Sequence, residues 1–320
     1  MALIYTGIDE AGYGPMLGPL CVASATLRVE GWSAGDPAPD LWGVLADAVC
    51  KSKRAAKTRI AVGDSKDLKL ANSSVTRHPL YHLERGVLGF LGACDGAMPG
   101  SDDALFDRLG ACWEAHPWYG GSGIGLPLGH EVEMLGIECN ALKRAMARGG
   151  VELLDLRVRV IGEGEFNGLY RTHGSKAAAT ELALCELLRR SRGLSGPGGA
   201  RRIVCDRQSG RTRYGRTLGR VFGNVVVEEE SARASRYRCD GDTGVLLTPG
   251  ADGAYFPVAL ASMAAKLVRE LTMMRFNRYW SSRIPELKPT AGYVQDARRW
   301  LGDTRAYISD EERATMVRLA

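Results

Sequence analysis

The stretch that most constrains this chain is "GIDEAGYGPMLGPL", residues 7 to 20. A short apolar run, "ALIYTGI", leads straight into two adjacent acids and then into a loop with glycine at 12, 14 and 18. Adjacent carboxylates repel, and glycine gives up chain entropy unless the backbone needs unusual dihedrals or a close approach. A structural turn needs one or two of these features. All of them together point to a site.

At 320 residues the chain can bury a full core, as one large domain or as one domain with a sizeable insertion. The formal charge of +5 is mild, so only its distribution can argue for a nucleic-acid partner. The eight cysteines form no CxxC pair and no Cys/His cluster, which disfavours a zinc site or a disulfide framework and fits a reducing compartment. The first apolar run lacks a basic leader and is interrupted by Asp9 and Glu10. No stretch approaches the ~20 apolar residues of a membrane span, so the expectation is a soluble, cytoplasmic protein.

"LIYTGI" reads as a strand, and "PLCVASATLRV" after the glycine loop as a second strand antiparallel to it. "DLWGVLADAVCKS" and "TELALCELLRRSR" carry helical spacing. "VIGEGEFNGLYRTHGSKAA" reads as a strand and turn before the helix at 176–190, and "GLSGPGGA" (193–200) as a loop. "RRIVCD" is a strand stopping at Asp206, and "NVVVEEE" another. The longest helical signal is "FPVALASMAAKLVRELTMMRFNRYW" (256–280), with Pro257 suited to its first turn and Met263, Met273 and Met274 on its core side. Residues 86–150 are rich in Gly and Pro with few periodic runs, and read as an insertion or small cap. The order gives an α/β architecture, a mixed sheet flanked by helices, in a single domain over 1–320 with a helical part at 256–320. The histidines show no metal spacing; Pro79 separates His78 from His82, and both read as surface residues.

Asp9 and Glu10 end the first strand, and Asp206 ends a later one. Singly, each is an ordinary turn acid. In α/β sheets active sites gather at strand ends, so these acids can converge. Converging carboxylates are costly without a cation, and oxygen ligands suit Mg²⁺ or Mn²⁺. Two such ions roughly 3.5–4 Å apart clamp the attacking and leaving oxygens of a phosphodiester.

"GIDEAGYGPMLGP" resembles the opening signature of the type 2 ribonucleases H, Asp-Glu-Ala-Gly-Arg-Gly-Pro. Four more segments match in order: "GDSKDL" (63–68), "IVCDRQSG" (203–210), "ALASMAAKLVREL" (259–271) and "TAGYVQDARRW" (290–300). The resemblance implies a ribonuclease H-like fold and a two-metal site of four acids. Asp9, Glu10 and Asp206 match three. Counting back ten from Ser262 puts the fourth at Asp252, with Asp242, Glu230 and Glu270 as alternatives because 228–251 looks enlarged. The resemblance further implies that Lys66, Ser262 and Lys266 contact phosphates. It also implies that Gly12, Tyr13 and Gly14, with Tyr293, read the 2′-hydroxyl of a ribonucleotide. Tyr13 stands where the family has arginine, which puts the ribose preference in question.

The stretch 201–220 holds seven arginines and one acid, so Arg207 and its neighbours are candidates for a phosphate-binding strip beside Asp206. The expected partner is an RNA–DNA hybrid or ribonucleotide-containing duplex DNA, with no membrane and no obligate protein partner. The expected activity is metal-dependent cleavage to 5′-phosphate and 3′-hydroxyl ends. The rivals are a hybrid-binding protein that has lost the chemistry, and a nuclease redirected to another structured nucleic acid.

Overall fold

The computed structural model describes residues 1–33, 35–194, 200–208 and 210–319. Within the loop expected at 193–200, residues 195–199 lie outside the described residues. The sheet has seven strands: β1 (Leu3–Ala11), β2 (Leu20–Val29), β3 (Val151–Ile161), β4 (Ala200–Asp206), β5 (Val225–Glu230), β6 (Ser235–Cys239) and β7 (Thr243–Thr248). Their spatial order is β3-β2-β1-β4-β7-β6-β5. The core of the sheet, β1-β4-β7, is parallel; β2 and β3 on one side and β6 and β5 on the other are antiparallel. The mixed sheet expected from the sequence is therefore present, with β4 at its centre and the β1–β2 hairpin beside it.

Helices cover both faces. They are α1 (Tyr81–Asp95), α2 (Asp102–Leu109), α3 (Val132–Arg148), α4 (Glu163–His173), α5 (Ala177–Gly193), α6 (Gly215–Phe222), α7 (Phe256–Ser281), α8 (Val294–Asp303) and α9 (Asp310–Met316). β1 and β2 are apolar on both sides because both sides are covered. Leu3, Tyr5 and Ala11 face α7, α1 and α3, whereas Ile8, Leu20, Val22, Ile203 and Cys205 face α5 and α6. α7 is apolar almost all round and is buried through most of its length, as such a helix must be. Pro257 stands in its first turn, and Met263 and Met273 are buried. Its start presses on β1: a Cβ on Gly7 would lie 2.1 Å from the Pro257 carbonyl carbon and 2.1 Å from the Val258 nitrogen. Only glycine permits that approach.

Four local expectations are corrected. "DLWGVLADAVCKS" forms one helical turn, Leu41–Val44, before a short strand at Val49–Cys50, since Trp42 turns its ring nitrogen to the Val62 carbonyl (2.8 Å) and ties the segment to the next one. Residues 163–173 form helix α4 rather than a turn; acids fill its first turn and Gly174, at φ 65°, ends it. Residues 235–248 add two strands, β6 and β7. His82 is buried, and burial first, then Arg77 and Arg85, pushes its pKa down to about 4. Within 86–150 lie most of α1 and all of α2 and α3, and Leu88, Phe90, Leu105 and Leu142 belong to the same apolar core as β1 and α7. No described helix is long and apolar enough to cross a membrane.

Candidate active site

β1 and β4 run parallel, and their last register pair is Ile8 with Cys205. The next residues are Asp9 and Asp206, so topology alone sets two carboxylates side by side at adjacent strand ends. Strand alternation puts both on the α7 face, since Tyr5 and Val204 belong to that core. Glu10 points the other way. Asp252 sits in a helical turn, Ala251–Ala254, that leads into α7, and the Ala251 amide donates to Asp206 Oδ1 at 2.8 Å. Asp252 is buried and accepts from the Gly253 amide at 2.9 Å.

These acids feel one another. Burial holds the Asp9 carboxyl well above the usual range; Asp206 and Glu10 push it further, while a hydrogen bond from Ser262 opposes them. Burial and then Asp206 push Glu10 up to about 7, against a hydrogen bond from Gln208 and the charge of Lys66. Asp252 rises to about 6 through burial, Asp64 and Asp206. Asp206 is also raised by burial, relieved by the Ala251 amide and by Lys66. Lys66 is thus the cation shared by Glu10, Asp206 and Asp252. It sits on the helical turn Ser65–Leu68, which Asp64 caps through the Lys66 amide (2.8 Å).

A group of buried and half-buried carboxylates, three of them raised by the charge of Asp206, has the donor chemistry of a hard divalent ion. Among the described residues, no three His, Cys, Asp or Glu side chains are gathered closely enough to hold a metal ion. The oxygen donors therefore fit in kind without forming a closed cage.

Of the alternatives to Asp252, none reaches this cluster. The Asp242 carbonyl accepts from the Arg201 amide (3.2 Å), at the opposite end of β4 from Asp206. Glu230 binds the Tyr237 hydroxyl at 2.7 Å on the edge hairpin. Glu270 pairs with Lys266 (3.0 Å) and faces Lys69 at 3.8 Å.

The glycine loop lies beside the acids. Gly12 has φ 92°, and a Cβ there would meet Arg269 Nε at 2.5 Å and the Pro19 carbonyl at 2.7 Å. Gly14 has open space where a Cβ would stand. Tyr13 is partly buried, with Lys176 Nζ 5.1 Å from its ring centre. The Met16 and Leu17 amides both donate to the Gly292 carbonyl, at 2.8 and 3.2 Å. That pairing brings Tyr293 to the loop, 47% exposed, with the Arg269 guanidinium 5.4 Å and Lys266 Nζ 5.9 Å from its ring. Arg269 is buried and donates to the Ala291 carbonyl at 3.0 Å, so one side chain braces both loops. Arg318 donates to the Pro15 carbonyl from the other side. Ser262 is buried and its hydroxyl meets that of Ser65 at 2.9 Å, joining α7 to the Lys66 turn.

Arg207 does not join the site. It is buried, and its guanidinium donates to the carbonyls of Ala232 and Ser231 (2.6 and 2.9 Å) and to Ser235 Oγ (3.1 Å), pinning the β5–β6 turn. The arginine-rich stretch does not form one strip. Arg211 and Arg220 pair with Glu181 (3.0 and 3.1 Å), Arg213 is exposed, and Arg201 and Arg202 stand at the far end of β4. A strand, a turn and a helix point successive residues in different directions. Asp64 and Gln208 are members of the cluster that the sequence did not single out. Asp64 stands inside "GDSKDL", but its polarity is explained there by helix capping; Gln208 had no signal beyond following Asp206.

No family model matches the chain, and no curated protein matches it significantly. Among solved structures it is similar to ribonuclease HII of Archaeoglobus fulgidus, described in a complex with PCNA, at 16% identity and TM-score 0.46, covering 99% of this chain and 94% of that one. It is also similar to ribonuclease H2 of Pyrococcus horikoshii (16% identity, TM-score 0.40, 99% and 92% covered). A third is Bst ribonuclease HIII with Mn²⁺ (16%, TM-score 0.44, 99% and 66% covered). Likeness of this degree decides nothing about what the chain does; its own residues have to.

Proposed function

We propose that this chain is a divalent-metal-dependent endonuclease that cleaves RNA in RNA–DNA hybrids or at ribonucleotides embedded in duplex DNA. One observation carries the reading: Asp206, at the end of β4, raises each of Asp9, Glu10 and Asp252, so that acids from three elements press toward one carboxylate. Buried carboxylates at such density are unfavourable for folding and are kept where a cation is to be bound. The resemblance of five segments to the type 2 ribonucleases H agrees with this and names the substrate.

In this reading Asp9, Glu10, Asp206 and Asp252 hold two Mg²⁺ or Mn²⁺ ions. The chemistry such ions supply is activation of water and stabilisation of the leaving 3′ oxygen, giving 5′-phosphate and 3′-hydroxyl ends. Ser262 stands beside Asp9 and favours its ionised form, and its hydroxyl is held on Ser65 Oγ at 2.9 Å. Lys66, electrostatically coupled to three of the acids, offers its ammonium to the scissile phosphate, and Lys266 stands one turn further along α7 from Ser262. The main chain at Gly12 and Gly14, with Tyr13 and Tyr293, takes the ribose; Gly14, which has open space beside it, lets a sugar approach the backbone. The Tyr13 ring keeps a positive charge nearby through Lys176.

The test is Asp9→Asn. It is expected to lower cleavage of a labelled hybrid by about 10²–10³-fold, the loss typical of removing a group needed in the transition state, while hybrid binding in EDTA stays within about 3-fold of wild type. A variant that still cuts at the normal rate would remove Asp9 from the site.

A further inference from the structure

The α7 face of the sheet is not covered to its edge. α7 lies over β1 and β2 and reaches only the near side of β4; β7 and β6 extend beyond it. There the bare strands floor a cavity of about 710 Å³, walled by Trp32, Pro37 and Ala38 on one side and by Tyr255, at the start of α7, on the other.

Register fixes what faces this cavity. Arg202 of β4 pairs with Gly244 of β7, which pairs with Arg238 of β6. One row nearer the acids, Val204 pairs with Leu246 and Leu246 with Arg236. One row further, Asp206 pairs with Thr248. Strand alternation sets residues 202, 204 and 206 on one face, so these arginines look out on the same side as Asp206. Arg202 and Arg238 are two strands apart, roughly 10 Å, and the glycine between them has nothing within 4 Å of where a Cβ would be. Two guanidinium groups thus flank an open floor. Arg202 is held in place by stacking 5.1 Å from the Trp32 ring centre and by donating to the Asp36 carbonyl at 2.7 Å. Arg236 and Arg238 are 52% and 67% exposed and lean on Glu229 and Glu228. On this face the wall carries Arg202, Arg236 and Arg238 against two acids, Glu228 and Asp242, while Arg201, the alternate residue, turns to the Arg192 carbonyl on the other face.

We propose that this bare half of the sheet binds the sugar–phosphate backbone of a nucleic-acid duplex, carrying it onward from the acid cluster. The surface suits a polyanion: exposed arginine forks on a flat floor, with bases left unread. Arg202 is four residues from Asp206, roughly 13 Å along the strand, which matches about four base-pair steps of rise. The inference rests on the functional reading above for the duplex at Asp206, and names where that duplex continues.

The test uses the whole chain in EDTA, so that binding is read without cleavage, and fluorescence anisotropy with a 20-bp RNA–DNA hybrid across a salt series. Two variants are compared with wild type: Arg202→Ala/Arg238→Ala, and Gly244→Glu, which sets an acid between Arg202 and Arg238 on a floor where a Cβ meets nothing within 4 Å. Removing one arginine from a phosphate lowers the slope of log K on log salt by about 0.9, so the double variant is expected to fall by nearly two units of slope and at least about 10-fold in affinity. Gly244→Glu is expected to weaken binding by a similar factor with circular dichroism unchanged. Wild-type affinity and slope in both variants would overturn the proposal, and would leave an acidic protein as the occupant of this surface. The two readings fail separately. If wild type never cuts in Mg²⁺ or Mn²⁺ but binding still depends on Arg202 and Arg238, the nuclease reading fails and this surface stands. If cutting is normal and binding ignores both changes, this surface fails alone.

Discussion

Asp9 and Glu10 are neighbours on a strand, so their side chains leave opposite faces, yet both are raised by the charge of Asp206. The strand end is the only place where residues of opposite parity can meet one point, because beyond it no sheet separates them. Glu10 shows the consequence for stability. Its folded pKa of about 7 lies above the ordinary 4.5. The folded state therefore holds the proton more tightly, and the contribution of Glu10 is full below about pH 4.5 and is lost as pH rises through 7. In EDTA, wild type is expected to lose stability from this group between pH 5 and 8, by about 2 kcal/mol once partial exposure is allowed for. Glu10→Gln should flatten that fall in chemical denaturation at stepped pH; an unchanged slope would mean the carboxyl is not strained. Asp9, Glu10 and Asp206 were legible in the sequence because each sits where a β pattern stops. Gln208 and Asp64 were not, since their part depends on a turn folding back toward the cluster. Arg207 misled for the same reason: adjacency to Asp206 in sequence says nothing of direction, and the side chain leaves toward Ser231 and Ala232.

At the scale of elements, the site depends on how closely α7 lies on β1. Gly7 is the contact point, and Asp9 follows on the same face, where Ser262 of the same helix reaches it. The short step from Gly7 to Asp9 leaves no slack, so the strand and the helix must be in register for Ser262 to stand beside Asp9. Gly7→Ala would drive a methyl into the Pro257–Val258 peptide, a backbone that has no rotamer to yield. The expected cost is about 3 kcal/mol, read as a lower midpoint in urea, with hybrid cleavage falling further than the folded fraction does. A Gly7→Ala protein as stable as wild type would show that α7 is not seated as described. The β1–β2 hairpin, β4, α5 and α7 were legible because their periods are unbroken. α4 was not, because "EGEFNGLYRTH" alternates glycine and charge and hides its apolar stripe. Strands β6 and β7 hid in a stretch whose arginines and acids face out.

At the scale of the molecule, the middle of the chain is tied to α7 by buried charge. Arg275 donates to both oxygens of Asp102 at 2.6 Å and to the Tyr119 carbonyl at 3.0 Å, and Asp102 also accepts from the Ile124 amide. Glu84 of α1 accepts from the Leu128 and Gly129 amides at 2.7 and 2.6 Å. Residues 86–150 looked irregular because Gly and Pro dominate their connections, while the partners that order them lie far away in sequence. Arg275→Met leaves Asp102 buried without its cation and is expected to cost about 3–5 kcal/mol, whereas Arg275→Met with Asp102→Leu should recover most of it. Equal stability of the single and double variants would contradict the pairing. What the whole arrangement is built for is tested most directly by cleavage. Three labelled duplexes, all-DNA, single-ribonucleotide and RNA–DNA hybrid, are incubated with the full chain in Mg²⁺, in Mn²⁺ and in EDTA. Cuts confined to the two ribose-containing duplexes, requiring metal and leaving 5′-phosphate ends, are the predicted result. Cleavage of all three alike, or of none in either metal, would contradict a ribose-directed nuclease centred on Asp9 and Asp206.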